Sequence, residues 1–328
     1  MTDIRQSGVE VRGIHHITAI AGEPRRNLHF YAGVLGQRLV KRTVNFDDPG
    51  TYHLYYGDEA GNPGTIMTFF AWPGAPRGRG GAGQVTATSY AVPAGSLGWW
   101  HERVSAAGVE ITRIGERFEA PMLGLRDPDG MPLELIETAD GPGERPWSGS
   151  AVPASKAIRG FHGATLTERA LEPTARVIED QLAWSLTAEE ADRFRYSAPG
   201  GDPGRHLDVV VRPDAPRGSM AAGAIHHIAF RLPDDGRQAE SREAVTRAGL
   251  PVSPVMDRQY FRSIYFREPG GVLFEMATDP PGFTRDESLE DLGRDLQLPP
   301  WLESRRGAIE RSLPPLGLPV DSGVEVQG

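Results

Sequence analysis

Ala224-Ile225-His226-His227-Ile228-Ala229-Phe230 reads as a short β-strand carrying two adjacent histidines. Gly13-Ile14-His15-His16-Ile17-Thr18-Ala19 prints the same pattern near the start of the chain. Downstream of the second copy, Gly270-Gly271-Val272-Leu273-Phe274-Glu275-Met276 is an apolar run with one carboxylate set into it. Histidines and a carboxylate on strands are the raw material of a metal site. What fills the intervals between these stretches decides the fold.

From Gly13 a strand leads into an amphipathic stretch over Asn27–Leu35, stopped by Gly36. Strand-like runs follow at Arg38–Phe46, Thr51–Tyr56 and Thr65–Trp72,. The order repeats: a strand at Gln84–Val92, a helix at Ser96–Ala107, then strands at Val109–Phe118, Met122–Arg126 and Met131–Glu137. A third pass starts at Gly160, with a helix at Pro173–Ala183 and strands near Arg193–Ser197 and His206–Val211. The fourth starts at Ala224, has a helix at Arg237–Ala248, and ends at Ala277. Arg126-Asp127-Pro128-Asp129-Gly130-Met131-Pro132-Leu133-Glu134 matches Arg267-Glu268-Pro269-Gly270-Gly271-Val272-Leu273-Phe274-Glu275, so Glu134 and Glu275 hold equivalent places. The expected class is α+β, built of four βαβββ modules. They group along the chain as 10–140 (modules at about 13–72 and 84–138) and 158–278 (modules at about 160–211 and 224–277). A Gly/Pro/Ser linker occupies 141–157, and a Pro-rich charged tail 279–328 carries a short helix near Ser304–Ser312.

The chain has 328 residues, which suits two compact units with ample core,. A net charge of −9 disfavours nucleic acid and anionic membranes as partners, because phosphate binding needs clustered Lys and Arg,. With no cysteine, disulfides, thiolate metal ligands and cysteine nucleophiles are excluded,. No run approaches the roughly 20 apolar residues of a membrane span. The polar amino terminus lacks a secretory apolar region, so a cytoplasmic location is expected,.

Aligning the four module starts is an elimination. The second histidine is His16 in module one and His227 in module four; module two has Thr88 or Ser89 there, and module three Gly163. Closing strands offer Glu134 in module two, Glu275 in module four and, loosely, Asp208 in module three. Only modules one and four together supply two histidines and a carboxylate. Strand alternation puts His226 with Ile228, Phe230 and Leu232, and His227 with Ala229 and Arg231,. The bulky face belongs to the core, which leaves His16, His227 and Glu275 facing inward. Such a set suits Fe(II) with open positions for substrate and O2, or a hydrolytic zinc site; spacing alone does not separate them. Trp99 and Trp100 are expected to pack a helix. His29, His53, His101, His162 and His206 are expected at the surface or in structural hydrogen bonds, and Pro76–Gly83 is expected to be a flexible loop.

The stretches GIHHITA, GQRLVKRTVNFDDPGTYHLYYGDEAGNPGTIMTFF, GSLGWW, AIRGFH, IHHIAF and PGGVLFE resemble, across nearly the whole chain, the hydroquinone-type extradiol ring-cleaving dioxygenases. These belong to the vicinal oxygen chelate (glyoxalase/bleomycin resistance/dioxygenase) superfamily. The resemblance implies two domains of that fold, with modules one and four enclosing a metal. It implies Fe(II), with Mn(II) as the alternative, held by His16, His227 and Glu275, and a small aromatic substrate and O2 as partners. It also implies supporting roles for His15, Thr18, His226, Arg258 and Tyr265. His226 and Tyr265 are assigned to proton transfer and hydrogen bonding during oxygen attack, and Arg258 to favouring developing negative charge. A catechol-cleaving enzyme, a glyoxalase-like metal isomerase and a metal-free binding protein are the competing readings. Homo-oligomerisation is left open.

Overall fold

The computed structural model describes residues 11–139, 146–200 and 203–317. The start of the 141–157 linker and the end of the tail lie outside those residues. Module one comprises β1 (Ile14–Ala21), α1 (Pro24–Leu28), β2 (Arg38–Asn45), β3 (Asp48–Gly57) and β4 (Ile66–Ala71). Module two comprises β5 (Gln84–Pro93), α2 (Leu97–Ala106), β6 (Ile111–Arg117), β7 (Ala120–Arg126) and β8 (Pro132–Thr138). Module three comprises β9 (Phe161–Glu168), α3 (Glu172–Leu182), β10 (Ser185–Glu190), β11 (Arg193–Ser197) and β12 (His206–Val211). Module four comprises β13 (Ile225–Leu232), α4 (Asp235–Arg247), β14 (Met256–Asp257), β15 (Arg262–Arg267) and β16 (Leu273–Thr278). The helix α5 (Arg306–Ser312) follows in the tail. The fold is α+β with four βαβββ modules, as the repeat requires.

Local chemistry sets the helix boundaries. Pro24 opens α1, where its missing N–H costs nothing,. The chain then widens into a π-turn over His29–Val34, so the amphipathic stretch is two pieces rather than one helix,. The Asp234 carboxylate accepts from the Arg237 N–H at 2.9 Å and caps α4,. Trp100 is fully buried and Trp99 packs against the same core.

Two eight-stranded sheets result, one made by the first and last modules and the other by the two modules between them. One runs β14-β15-β16-β13-β1-β4-β3-β2 and joins modules four and one; the other runs β10-β11-β12-β9-β5-β8-β7-β6 and joins modules three and two. Helix α4 packs on β13, β15 and β16, α2 packs on β7 and β8, and β13 touches β5. Pro76–Gly83 is not a free loop. It lies along the segment between modules three and four, through bridges of Arg77 with Ala222, Arg79 with Ser219 and Ala82 with Arg217. Among the described residues no helix is long and apolar enough to cross a membrane.

A buried pair of acids ties module three to module four. Glu168 ends β9 under Gly270, where an added Cβ would lie 2.2 Å from Glu168 Oε2. Glu268 is satisfied by Thr174 Oγ1 and by the N–H groups of Gly270 and Val272. Glu168 Oε1 has no hydrogen-bond partner. Burial, and then the neighbouring Glu268, push the Glu168 carboxyl up to about 8. Between the ordinary carboxylate range and that value the folded state therefore holds a proton that the unfolded chain has already lost, and stability falls as pH rises toward about 8 and levels off above it,. The melting temperature should drop between about pH 5 and 8, and the drop should be smaller in Glu168→Gln,. Equal slopes in the two proteins would refute this.

Candidate metal centre

His16 on β1, His227 on β13 and Glu275 on β16 meet at the concave face of the first sheet. Their ligand atoms all lie within 4.8 Å of one another. Glu275 Oε2 is 2.9 Å from His227 Nε2 and 3.3 Å from His16 Nε2, and the two Nε2 atoms are 3.4 Å apart. All three side chains are buried. Ser263 Oγ donates to Glu275 Oε1, while Oε2 is buried with no hydrogen-bond partner. Such an orphan is costly unless a cation meets it. Two imidazole nitrogens and a carboxylate oxygen converging on one point fit a divalent transition metal. Burial pushes the Glu275 carboxyl up, but His16 and His227 outweigh it and hold it well below the usual carboxylate range. Burial lowers the His227 imidazole, so it is available as a neutral ligand,.

The paired histidines work together because the strands bulge. The β1–β13 register skips His15 between Ile14 and His16, and skips His226 between Ile225 and His227. A bulge breaks strict alternation and re-aims the side chain. This is why His226 reaches the cavity instead of the core that alternation assigns to it. His226 Nδ1 lies 2.8 Å from His227 Nδ1, and His15 Nδ1 lies 3.0 Å from His16 Nδ1. With Nε2 as the ligand atom, each inner ring keeps its proton on Nδ1 and donates it to the preceding histidine, which fixes its orientation. Burial, then His227, lowers His226 to about 4, so it is neutral at ordinary pH. Its proton then sits on Nε2. Burial, then His16, likewise lowers His15.

Arg258 and Tyr265 form one wall. Arg258 Nε donates to Tyr265 Oη at 3.1 Å and Nη1 donates to Asp47 at 3.3 Å. Burial pulls the guanidinium down, but Tyr265, Asp47 and Glu275 outweigh it and hold it above its ordinary value. Burial, then Glu275, pushes the Tyr265 phenol up, so it stays protonated. Having accepted from Arg258, it keeps its own proton for the cavity. Thr18 Oγ1 bonds Thr68 Oγ1 at 3.0 Å.

The cavity holds roughly 270 Å³. Its apolar walls include Phe46, Phe70, Trp72, Phe261 and Leu273. The Phe261 ring lies 4.8 Å from that of His16. Three residues here escaped the sequence. Ser263 orients the carboxylate. His53, expected to be structural or at the surface, lines the cavity with Tyr55. A Thr-Tyr-His run with alternating polarity was the available signal, but which face of β3 turns inward depends on the curl of the sheet.

The second sheet has the same plan without the histidines. Ala229 pairs with Glu275, and Ser89 pairs with Glu134. Two residues back, Ala87 rather than Thr88 or Ser89 therefore takes the place of His227. Gly163, opposite Ser89 as His16 is opposite Ala229, takes the place of His16. An added Cβ there would lie 2.3 Å from the His206 carbonyl oxygen, so no histidine fits without backbone movement. Arg117 and Ser89 bond Glu134, and Arg193 and Arg195 bond Asp208. Guanidinium groups satisfy carboxylates that would otherwise call for a cation.

Residues 13–135 match the model of the Glyoxalase/Bleomycin resistance protein/Dioxygenase superfamily. The chain is 48% identical over 303 residues to "Putative ring-cleaving dioxygenase MhqO" of Bacillus subtilis, covering 92% of this chain and 96% of that protein. It is 39% identical over 314 residues to the chlorohydroquinone/hydroquinone 1,2-dioxygenase of Sphingobium indicum, with the same two coverages of 92% and 96%. A crystal structure of a dioxygenase-type Bacillus subtilis protein superposes with a TM-score of 0.90 at 47% identity, covering 93% of this chain and 97% of that one. Glyoxalase I from Zea mays shares the fold, with a TM-score of 0.62 at 17% identity over 82% of this chain and 92% of that one.

Proposed function

The chain belongs to the glyoxalase/bleomycin resistance protein/dioxygenase superfamily and is an enzyme of its ring-cleaving dioxygenase type, and from that premise we propose that it opens the ring of a hydroquinone with O2. His16, His227 and Glu275 would hold Fe(II). The observation that carries this reading is the orphaned Glu275 Oε2, facing two histidine nitrogens in an apolar cavity of single-ring size. Similarity to a chlorohydroquinone/hydroquinone dioxygenase supports the substrate class.

Bound Fe(II) supplies Lewis acidity toward a phenolic oxygen and a redox-active centre beside the ring. The protein's own share is positioning and proton management. His15 and His226 hold the two ligand rings, and Ser263 fixes Glu275 with Oε2 turned inward. Phe70 and Phe261 confine a planar ring and exclude water, which strengthens the polar contacts inside,. Tyr265 Oη and His226 Nε2 present protons to the cavity, and Arg258 supplies a fixed positive charge where negative charge develops,.

Iron-loaded protein should consume O2 with hydroquinone, methylhydroquinone or a chlorohydroquinone and give a ring-opened product. Oxygen-electrode traces and product absorbance measure this. Bound zinc or nickel with no O2 uptake would favour an isomerase or hydrolase instead. Uptake with catechol alone would move the activity to adjacent diols.

A further inference from the structure

Module one's half of the first sheet carries a chain of hydrogen bonds that the ligand set does not use. Tyr55 Oη lies 2.9 Å from His53 Nδ1, and His53 Nε2 lies 2.7 Å from Thr68 Oγ1. Thr68 in turn bonds Thr18. Thr18, His53 and Tyr55 all line the cavity.

The internal symmetry of the sheet shows what this chain replaces. Thr18 is paired with His227, and His16 with Ala229, so β1 and β13 are related by a local two-fold axis. Glu275 pairs with Ala229 as Thr68 pairs with Thr18. Tyr265 lies across from Glu275 as Tyr55 lies across from Thr68. Two residues before each tyrosine stand Ser263 and His53. Ser263 bonds the carboxylate on one side, and His53 bonds Thr68 on the other. One half of the cup is thus built for a cation, and its mate is built of neutral hydrogen-bonding groups.

We propose that this neutral half recognises the ring hydroxyl of the substrate that lies farthest from the ligand set, with Tyr55 Oη as the contacting atom and His53 as its positioning residue. The inference rests on the hydroquinone reading above. Burial lowers the His53 imidazole, so it is neutral, and keeps the Tyr55 phenol protonated. A neutral imidazole donates through one nitrogen and accepts through the other. Tyr55 Oη therefore offers the cavity an acceptor position in one tautomer and a donor in the other. A phenolic hydroxyl satisfies both. Strand β3 stands two strands from β1. Two strand spacings of about 4.8 Å each match a para-dihydroxybenzene with a contact at either end. Adjacent hydroxyls, as in catechol, both sit at one end of the ring and leave this wall facing carbon.

The test is ligand binding without turnover. Under argon, iron-loaded wild type, Tyr55→Phe and His53→Gln are titrated with hydroquinone, phenol and catechol, with iron content and melting temperature measured for each. Wild type should prefer hydroquinone to phenol by about five- to tenfold, the yield of one hydrogen bond. Tyr55→Phe should lose that preference while iron content and catechol affinity stay unchanged. His53→Gln should lose part of it. If one variant fails to fold, the other carries the comparison. A preference that survives in the folded variants overturns the inference, as does an equal loss of hydroquinone and phenol. Wild type that binds catechol but not hydroquinone overturns the hydroquinone reading and this inference with it. The two failures differ, because only the second is visible in the wild-type protein.

Discussion

His227→Ala is expected to abolish iron retention and O2 uptake together. The substitution removes one of three ligand atoms and leaves Glu275 Oε2 with only His16 Nε2, at 3.3 Å. Disturbing an outer partner of a metal ligand already costs about 10–100-fold in affinity, so losing a ligand should cost more. Ser263→Ala gives the graded case, because it frees Glu275 to rotate without deleting a donor, and should fall in that 10–100-fold range,. A readout independent of turnover comes from linkage. Fe(II) at about 100 times its dissociation constant stabilises the folded protein by about 2.7 kcal/mol. The wild-type melting temperature should rise on adding Fe(II) anaerobically, and that of His227→Ala should not. Unchanged iron content in His227→Ala would remove the metal assignment altogether.

The second large effect is on stability. Lys41 on β2 is fully buried, pairs with Asp286 and Glu287, and sits 4.9 Å from the centre of the Tyr260 ring. Tyr260 Oη donates to Asp286 at 2.9 Å. Phe283 and Leu292 of the tail join Val40, Tyr55, Tyr260 and Phe261 in a small apolar cluster beside the cavity, whose wall Tyr55 and Phe261 share. Lys41→Ala would remove the buried cation that Asp286 and Glu287 share and leave the Glu287 side chain, itself 5% exposed, without it. Breaking a buried pair in this way costs about 3–5 kcal/mol, seen as a lower denaturant midpoint. Because Phe261 follows Tyr260 and packs on His15 and His16, iron affinity should fall as well. A loss under about 1 kcal/mol would mean that the tail is not fastened through Lys41.

Much of this was readable from residue patterns, and the exceptions have physical causes. Glu275 inside an apolar strand and the repeated Ile-His-His-Ile pointed to one site shared by the first and last modules. Alternation chose His16 and His227 over their neighbours. It put His226 in the core because a bulge at that residue has no signature in a strand sequence. Ser263, His53 and Tyr55 were missed because their roles depend on the curvature of strands paired across the sheet. Arg117 and Arg195 read as ordinary charged residues until the register set them beside Glu134 and Asp208.

The sharing of one sheet by the first and last modules also bears on how the chain is made. A ribosome adds about 5–20 residues per second, so β1 waits on the order of tens of seconds for β13, and Glu275 is made later still. The sheet of modules two and three is complete first. Meanwhile β1 presents an open edge to whatever strand arrives, including the same edge of a neighbouring nascent chain. Ile14, Ile17 and Ile20 make that edge adhesive. Slowing synthesis between Val211 and Ala224 should therefore raise the yield of swapped or aggregated chains more than an equal pause after Thr278.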